Sequence, residues 1–150
     1  MRIALYQPDI PQNTGNIFRL GACLGVSVDI IEPTGFIFDE KRFKRSVMDY
    51  INHINYKRHI DWQHFHNWSL KKKFRLILMT TKSNESFYNF KFCSSDILLF
   101  GRESSGVPDN IHKVVDHRLT IPMKKGVRSI NLSSSVALVI GEGLRQTNSI

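Results

Sequence analysis

The 150-residue chain is 41% hydrophobic and 23% charged, enough apolar material for a sizeable core and unlike a disordered segment. Its 21 lysines and arginines outnumber 13 acids, for a formal net charge of +8, which points to a polyanionic partner, most simply nucleic acid. No apolar run reaches the ~18 residues of a membrane span, and the N-terminal apolar stretch is too short for a signal peptide, so a soluble cytoplasmic protein without membrane attachment is expected.

Short β-type runs alternate with helical patterns along the chain. The strands are expected at Arg2–Tyr6, Val26–Ile31, Ile54–Arg58, Leu76–Thr80, Ile97–Phe100 and Arg118–Ile121. Helices are expected near Thr14–Leu24, Asp39–Val47, Trp62–Lys72, Pro108–Val114 and Asn131–Gln146. This alternation predicts an α/β fold, with a mostly parallel sheet and helices on both faces, in a single domain over residues 1–150. In the first helix Ile17, Leu20, Gly21 and Leu24 share one face, which directs Arg19 roughly the opposite way. In the last, Leu132, Val136, Val139 and Ile140 do the same. Gly141 and Gly143 each cost that helix ~1 kcal/mol relative to alanine, so Gly141 is expected at a close helix contact such as a subunit interface. Cys23 and Cys93 form no Cys-x-x-Cys pair and are read as small core residues. His64 and His66 are two apart, do not share a helix face, and suggest no metal pair. The Tyr56–Arg75 segment mixes Trp62, Phe65 and Trp68 with Lys57, Arg58, Lys71, Lys72 and Lys73; such a mixture can stack bases, but it reads first as an amphipathic helix packed on the sheet with a basic outer face.

Three polar patches each follow an apolar strand. The first is Asn13-Thr14-Gly15-Asn16-Ile17-Phe18-Arg19, read as a capped helix start with an arginine suited to an anionic or hydroxyl-rich ligand. The second is Gly101-Arg102-Glu103-Ser104-Ser105-Gly106-Val107-Pro108. It has the glycine spacing of a phosphate loop, but Val107-Pro108 replaces the Lys-Ser/Thr that such a loop needs. Glu103 there favours a cation or hydroxyl donors, and Pro108 is expected at the first helical position. The third runs from Ile121-Pro122-Met123 through Lys124, Lys125 and Arg128 to Ser129-Ile130-Asn131-Leu132-Ser133-Ser134-Ser135. It holds more capping side chains than one helix start uses. In a parallel sheet all three loops fall on the edge where ligands bind.

Together these patches resemble the three motifs of the SpoU-type RNA ribose methyltransferases of the SPOUT class. The carriers are Asn13-x-Gly15-Asn16-x-x-Arg19, Gly101-x-Glu103-x-x-Gly106-Val107-Pro108, and Ile121-Pro122-Met123 through Arg128-Ser129-Ile130-Asn131-Leu132-Ser133. Within that family the chain is most similar to the small single-domain enzymes that methylate the wobble ribose of tRNA. This closer likeness rests on Ile10 to Ile17, Ile31-Glu32-Pro33-Thr34-Gly35-Phe36, Asp49-Tyr50 and Arg145-Gln146. Gln7, where relatives often carry an acid, and Gly141-Glu142-Gly143 depart from the pattern without touching the motifs.

The resemblance implies transfer of a methyl group from S-adenosylmethionine to the 2′-hydroxyl of cytidine or uridine 34 of leucine tRNAs, without a metal. It implies a homodimer and a C-terminal trefoil knot, in which the chain after Gly101 threads a loop. The implied catalytic set is Arg19, Asn13, Glu103, Ser129 and Asn131. The implied cofactor contacts are Met79, Thr80, Gly101, Glu103, Ile121, Ser129, Ile130 and Leu132. RNA contacts are expected from Lys41, Arg42, Lys44, Arg45, Lys124, Lys125 and Arg128. Alternative readings are another tRNA or ribosomal RNA site, a non-catalytic RNA-binding relative of the same fold, or a small nucleotide- or flavin-binding protein. The missing phosphate lysine and the acid at 103 speak against the last.

Overall fold

A computed structural model of the chain describes residues 1–38 and 54–149. Six strands form one parallel sheet: β1 (Arg2–Tyr6), β2 (Ser27–Ile31), β3 (Tyr56–His59), β4 (Arg75–Met79), β5 (Asp96–Phe100) and β6 (His117–Leu119). Their order across the sheet is β3-β2-β1-β5-β4-β6. The helices are α1 (Pro11–Leu24), α2 (Trp62–Lys71), α3 (Asp109–Val114) and α4 (Leu132–Gln146). The expected helix at Asp39–Val47 lies outside the described residues. No helix among the described residues is long and apolar enough to cross a membrane.

Side-chain alternation along the strands explains why both faces are covered. Ile3, Leu5, Val28, Ile30, Ile77 and Leu98 point to one face, where α1 and α4 supply Ile17, Phe18, Val136, Val139, Ile140 and Leu144. Ala4, Tyr6, Ile31, Leu76, Leu78, Ile97 and Leu99 point to the other, under Phe65 of α2 and Ile111 of α3. The predicted apolar faces of α1 and α4 are therefore the buried ones, with Leu20, Leu24 and Leu132 at their margins. Gly21 is required by close approach: a Cβ there would stand 2.7 Å from the Val26 carbonyl oxygen.

Several expectations are corrected. Cys23 is exposed on α1, and Cys93 is half-buried with Sγ 3.0 Å from an Asp96 carboxylate oxygen, so neither is a core residue. Helix α1 starts at Pro11, not at Thr14, because proline at the first helical position sets φ and needs no amide partner. Asn13 and Thr14 are therefore inside the helix and buried, and neither is the cap. Pro108 is the residue before α3 rather than its first. Within one chain, an added Cβ at Gly143 would meet the Met1 side chain at 2.6 Å, whereas one at Gly141 would meet nothing within 4 Å and leaves that position open to a second subunit.

Polar groups buried in this sheet are all partnered. Asp29 lies in the α2-facing layer and takes Arg2 Nε at 2.7 Å and His59 Nε2 at 2.8 Å. Asp96 accepts two bonds from Arg75 at the start of β4. Among the described residues no buried side-chain nitrogen or oxygen lacks a partner. This is what the high cost of an unpaired buried polar group requires.

Candidate active site

The chain order reverses near the middle of the sheet. From β1 the chain winds outward to β2 and β3, then crosses to β4, and β5 is inserted between β1 and β4. Loops leaving the carboxyl ends of neighbouring strands diverge at such a point and leave a crevice. Here the crevice has a volume of about 570 Å³, the size of a small-molecule site. Its apolar surface comes from Leu78, Phe100, Val107, Ile121 and Leu132, and its polar rim from the loops after β1, β4, β5 and β6.

The rim is tied together by one chain of hydrogen bonds. Glu103 accepts from the Asp9 backbone N–H at 2.8 Å and from Asn13 Nδ2 at 3.0 Å. Asn13 Oδ1 accepts from Asn131 Nδ2 at 2.9 Å. Asn131 Oδ1 in turn caps α4, accepting from the Ser133 and Ser134 amides and from the Ser133 hydroxyl. Loops far apart in sequence thus share three side chains. Asn13 is 5% exposed, so its amide has little access to water in place of these partners.

A second clasp holds the β1 loop to the β5 loop. Asp9 accepts from Arg102 Nε at 3.0 Å and from Ser104 N at 3.1 Å, with further bonds to Arg102 Nη2 and the Ser104 hydroxyl. Arg102 also reaches the Gln7 carbonyl oxygen of the side chain at 3.4 Å. Gln7 has φ 45°, a left-handed turn that bends the chain as it leaves β1. The β5 loop closes on itself through paired Arg102 and Gly106 backbone bonds. A Cβ at Gly101 would meet the Gly106 carbonyl carbon at 2.5 Å, so the loop needs glycine there. Gly35, after β2, lies as close to Asp9 and donates its N–H to the Pro8 carbonyl at 2.9 Å. The Arg102 guanidinium, ahead of the Ser104 bonds, holds the Asp9 carboxyl down to about 2.

Every residue named from the sequence as a cofactor contact lines the crevice: Met79, Thr80, Gly101, Glu103, Ile121, Ser129, Ile130 and Leu132. Asn13 and Asn131 line it too. Arg19 does not. It is exposed on α1, six residues beyond Asn13 and so ~9 Å further along the helix. Of the third loop's cations, Arg128 lines the crevice, whereas Lys124 and Lys125 are exposed outside it. Lys41, Arg42, Lys44 and Arg45 lie outside the described residues. Sequence reasoning missed Asp9 and Arg102 as fasteners. The signal was present as an acid in the rigid Pro8-Asp9-Ile10-Pro11 turn and a cation inside the glycine loop, but no local spacing joins positions 9 and 102.

The crevice fits an adenosine-like cofactor bearing a positive centre. Apolar side chains and strand-end backbone groups can flank a neutral heterocycle, and Glu103 is the one acid among its lining residues. A parallel α/β sheet with a crevice at the carboxyl ends of its strands is the usual ligand-binding arrangement of doubly wound folds. The SpoU rRNA Methylase family matches residues 1–141, and the chain belongs to that family. It is 45% identical, over 99% of its length and 92% of the relative's, to a tRNA (cytidine(34)-2'-O)-methyltransferase of Beijerinckia indica subsp. indica. A solved structure concerned with 2-OH methylation of C/U34 on tRNA matches with TM-score 0.89 and 36% identity, covering 97% of this chain and 94% of that one. The SpoU methyltransferase AviRb from Streptomyces viridochromogenes, solved with AdoMet, shares the fold at TM-score 0.86 and 20% identity, covering 97% of this chain and 57% of that one.

The Asp9 clasp has a pH signature. Because the folded carboxyl lies below the ordinary carboxylate value, its stabilisation is complete above that value and is lost as pH falls from about 4 toward 2. Asp9→Asn should therefore be less stable than the parent at pH 6, by no more than ~1 kcal/mol since both partners keep contact with water. Urea unfolding at stepped pH should show the gap closing below pH 4. A gap that stays constant to pH 2.5 would mean that the charge at Asp9 contributes nothing.

Proposed function

We propose that this protein is an S-adenosylmethionine-dependent tRNA methyltransferase acting on the ribose 2′-hydroxyl of the wobble nucleotide, cytidine or uridine 34. The observation that carries the reading is the coincidence of the family's three motifs with a single crevice rim, joined through Glu103, Asn13 and Asn131. The near full-length likeness to a relative named for that reaction supports the choice of nucleotide. When bound, the cofactor supplies an electrophilic methyl on a sulfonium.

The chain's own residues have three tasks. Met79, Thr80, Gly101, Ile121, Ser129, Ile130 and Leu132 would bind the cofactor, with Glu103 keeping a negative charge near the positive sulfur. Both Glu103 oxygens are already engaged, so its task is electrostatic and positional rather than proton removal. Ser129 and Asn131 would orient the ribose at the rim. Arg19 offers five guanidinium N–H donors and no acceptor. Its role would be to hold the phosphate beside the reacting ribose and stabilise the oxygen while its proton passes to solvent water. Alignment of this kind supplies up to ~7–11 kcal/mol of a barrier. Lys124, Lys125, Arg128 and the segment with Lys41, Arg42, Lys44 and Arg45 would hold RNA phosphates.

Residues 1–150 are read as one domain with the family's C-terminal knot. In support, the chain leaves β6 at the outer edge of the sheet, lines the crevice over 120–132, and returns as α4 beside α1. The functional unit is read as a homodimer. In support, α4 exposes a strip of small and apolar residues, Ser134, Ala137, Leu138 and Gly141. Arg19 would then act in a site completed across the interface, consistent with its position outside the crevice of one chain.

Mapping 2′-O-methyl groups on unmodified bulk tRNA, leucine tRNAs included, after incubation with protein and cofactor should find them at position 34. Methylation elsewhere would reject the nucleotide assignment and leave the reaction class. Arg19→Ala should keep cofactor binding in calorimetry and lose at least ~100-fold in labelled-methyl transfer, the loss typical of a transition-state donor; full activity would remove Arg19 from the mechanism. Gly141→Leu should shift the protein from dimer toward monomer in light scattering, and an unchanged mass would exclude the α4 strip as the interface.

A further inference from the structure

The crevice and its loops occupy the carboxyl end of the sheet, and a separate concentration of positive charge lies at the opposite end. It includes Arg2 and Arg75, which open β1 and β4, and Lys57 near the start of β3. Lys71, Lys72 and Lys73 stand where α2 ends, and Lys91 precedes β5. Aromatic rings organise this edge. Lys57 Nζ lies 4.6 Å and Arg2 Cζ 5.2 Å from the centroid of Trp68, and Trp68 packs on Phe74 at 5.4 Å. Arg75, next to Phe74, donates to the Lys91 carbonyl at 3.0 Å. From β3 to β4 the edge crosses four strand intervals, roughly 19 Å at ~4.8 Å each.

The acids of this edge are already engaged. Asp29 is held by Arg2 and His59, and Asp96 by Arg75. Exposed Asp116 accepts from the Leu76 amide. Helix α2 has no Asp or Glu in its sequence, WQHFHNWSLK, so its terminal lysines have no partner one turn back. Among the described residues no ion pair within 4.0 Å involves Lys57, Lys71, Lys72, Lys73 or Lys91. A solvated face usually mixes both signs, whereas here five lysines stand with one exposed acid, Asp116, an excess of one sign that carries a cost in self-repulsion.

We infer that this edge is a second RNA-binding surface, which holds phosphates of the substrate's body while the reacting nucleotide sits in the crevice. Five-residue strands separate the two ends by roughly 16 Å, so the two sites would engage different parts of one RNA. The inference rests on the RNA-methyltransferase reading. Phosphate contacts position a nucleic acid without reading its sequence, which suits cations placed away from the reacting base.

The test uses the full chain and full-length tRNA, comparing the parent with the triple variant Lys71→Ala, Lys72→Ala, Lys73→Ala. The expected result is a KM for tRNA raised on the order of tenfold with kcat at saturation unchanged. The slope of log affinity against log salt should become shallower by about 3 if each lysine neutralises one phosphate. The corresponding triple arginine variant should recover both. Unchanged KM and slope in the alanine variant, or an equal loss in the arginine variant, would overturn the proposal. Binding is read apart from methyl transfer. A parent chain that transfers no methyl group would therefore sink the enzymatic reading, while the salt slope would still decide the patch.

Discussion

The amide of Asn13 donates to Glu103 and accepts from Asn131, and those two bonds join the elements after β1, β5 and β6 into one rim. Its orientation is set by both partners at once: a carboxylate acceptor on one side and an amide donor on the other. Because Asn13 is nearly excluded from water, losing either partner leaves an amide atom without compensation, at roughly 1–3 kcal/mol. The geometry depends on where α1 begins. Pro11 starts the helix early, carries Asn13 into its first turn, and turns the side chain toward the crevice instead of the helix's own amides.

Around that amide the charges fall into separate groups. Asp9 and Arg102 neutralise each other while fastening the β1 and β5 loops, so their charges serve architecture. Glu103 keeps its charge at the crevice but has both oxygens occupied, which leaves it an electrostatic and positional role. Among the described residues the outer-loop cations Lys124, Lys125 and Arg128 and the far-edge lysines make no ion pair and remain available to a polyanion, whereas Arg2 and Arg75 at that edge are held by Asp29 and Asp96. The excess charge visible in the composition is thus distributed: little of it lies in the crevice, and most of what is described lies outside it.

The fold class was legible because β1, β2, β4 and β5 are largely apolar runs and α1 and α4 repeat their apolar residues at helical spacing. Strand ends were recovered to within two residues. Errors arose where a local rule met a tertiary one. Asn13 and Thr14 have the chemistry of caps, yet Pro11 one turn earlier takes the helix start and converts them to interior groups. Cys23 was assigned to the core by residue type, but its position on α1 faces outward. At the site, the crevice-lining residues were legible through motif order alone. The Asp9–Arg102 clasp was not, because its partners are separated by most of the chain and meet only when β1 and β5 become neighbours. The far basic edge was visible as a lysine run, but its backing by Trp68 and Phe74 and its separation from the crevice required the fold.

The central claim is that Glu103, Asn13 and Asn131 work as one unit. A double-mutant cycle on kcat/KM for methyl transfer, with Asn13→Ala, Asn131→Ala and the pair, tests it directly. The account predicts strong non-additivity, with the double variant scarcely worse than the poorer single one and a coupling of about 0.5–3 kcal/mol. Effects that simply add would mean that the two asparagines act independently, and would contradict the account.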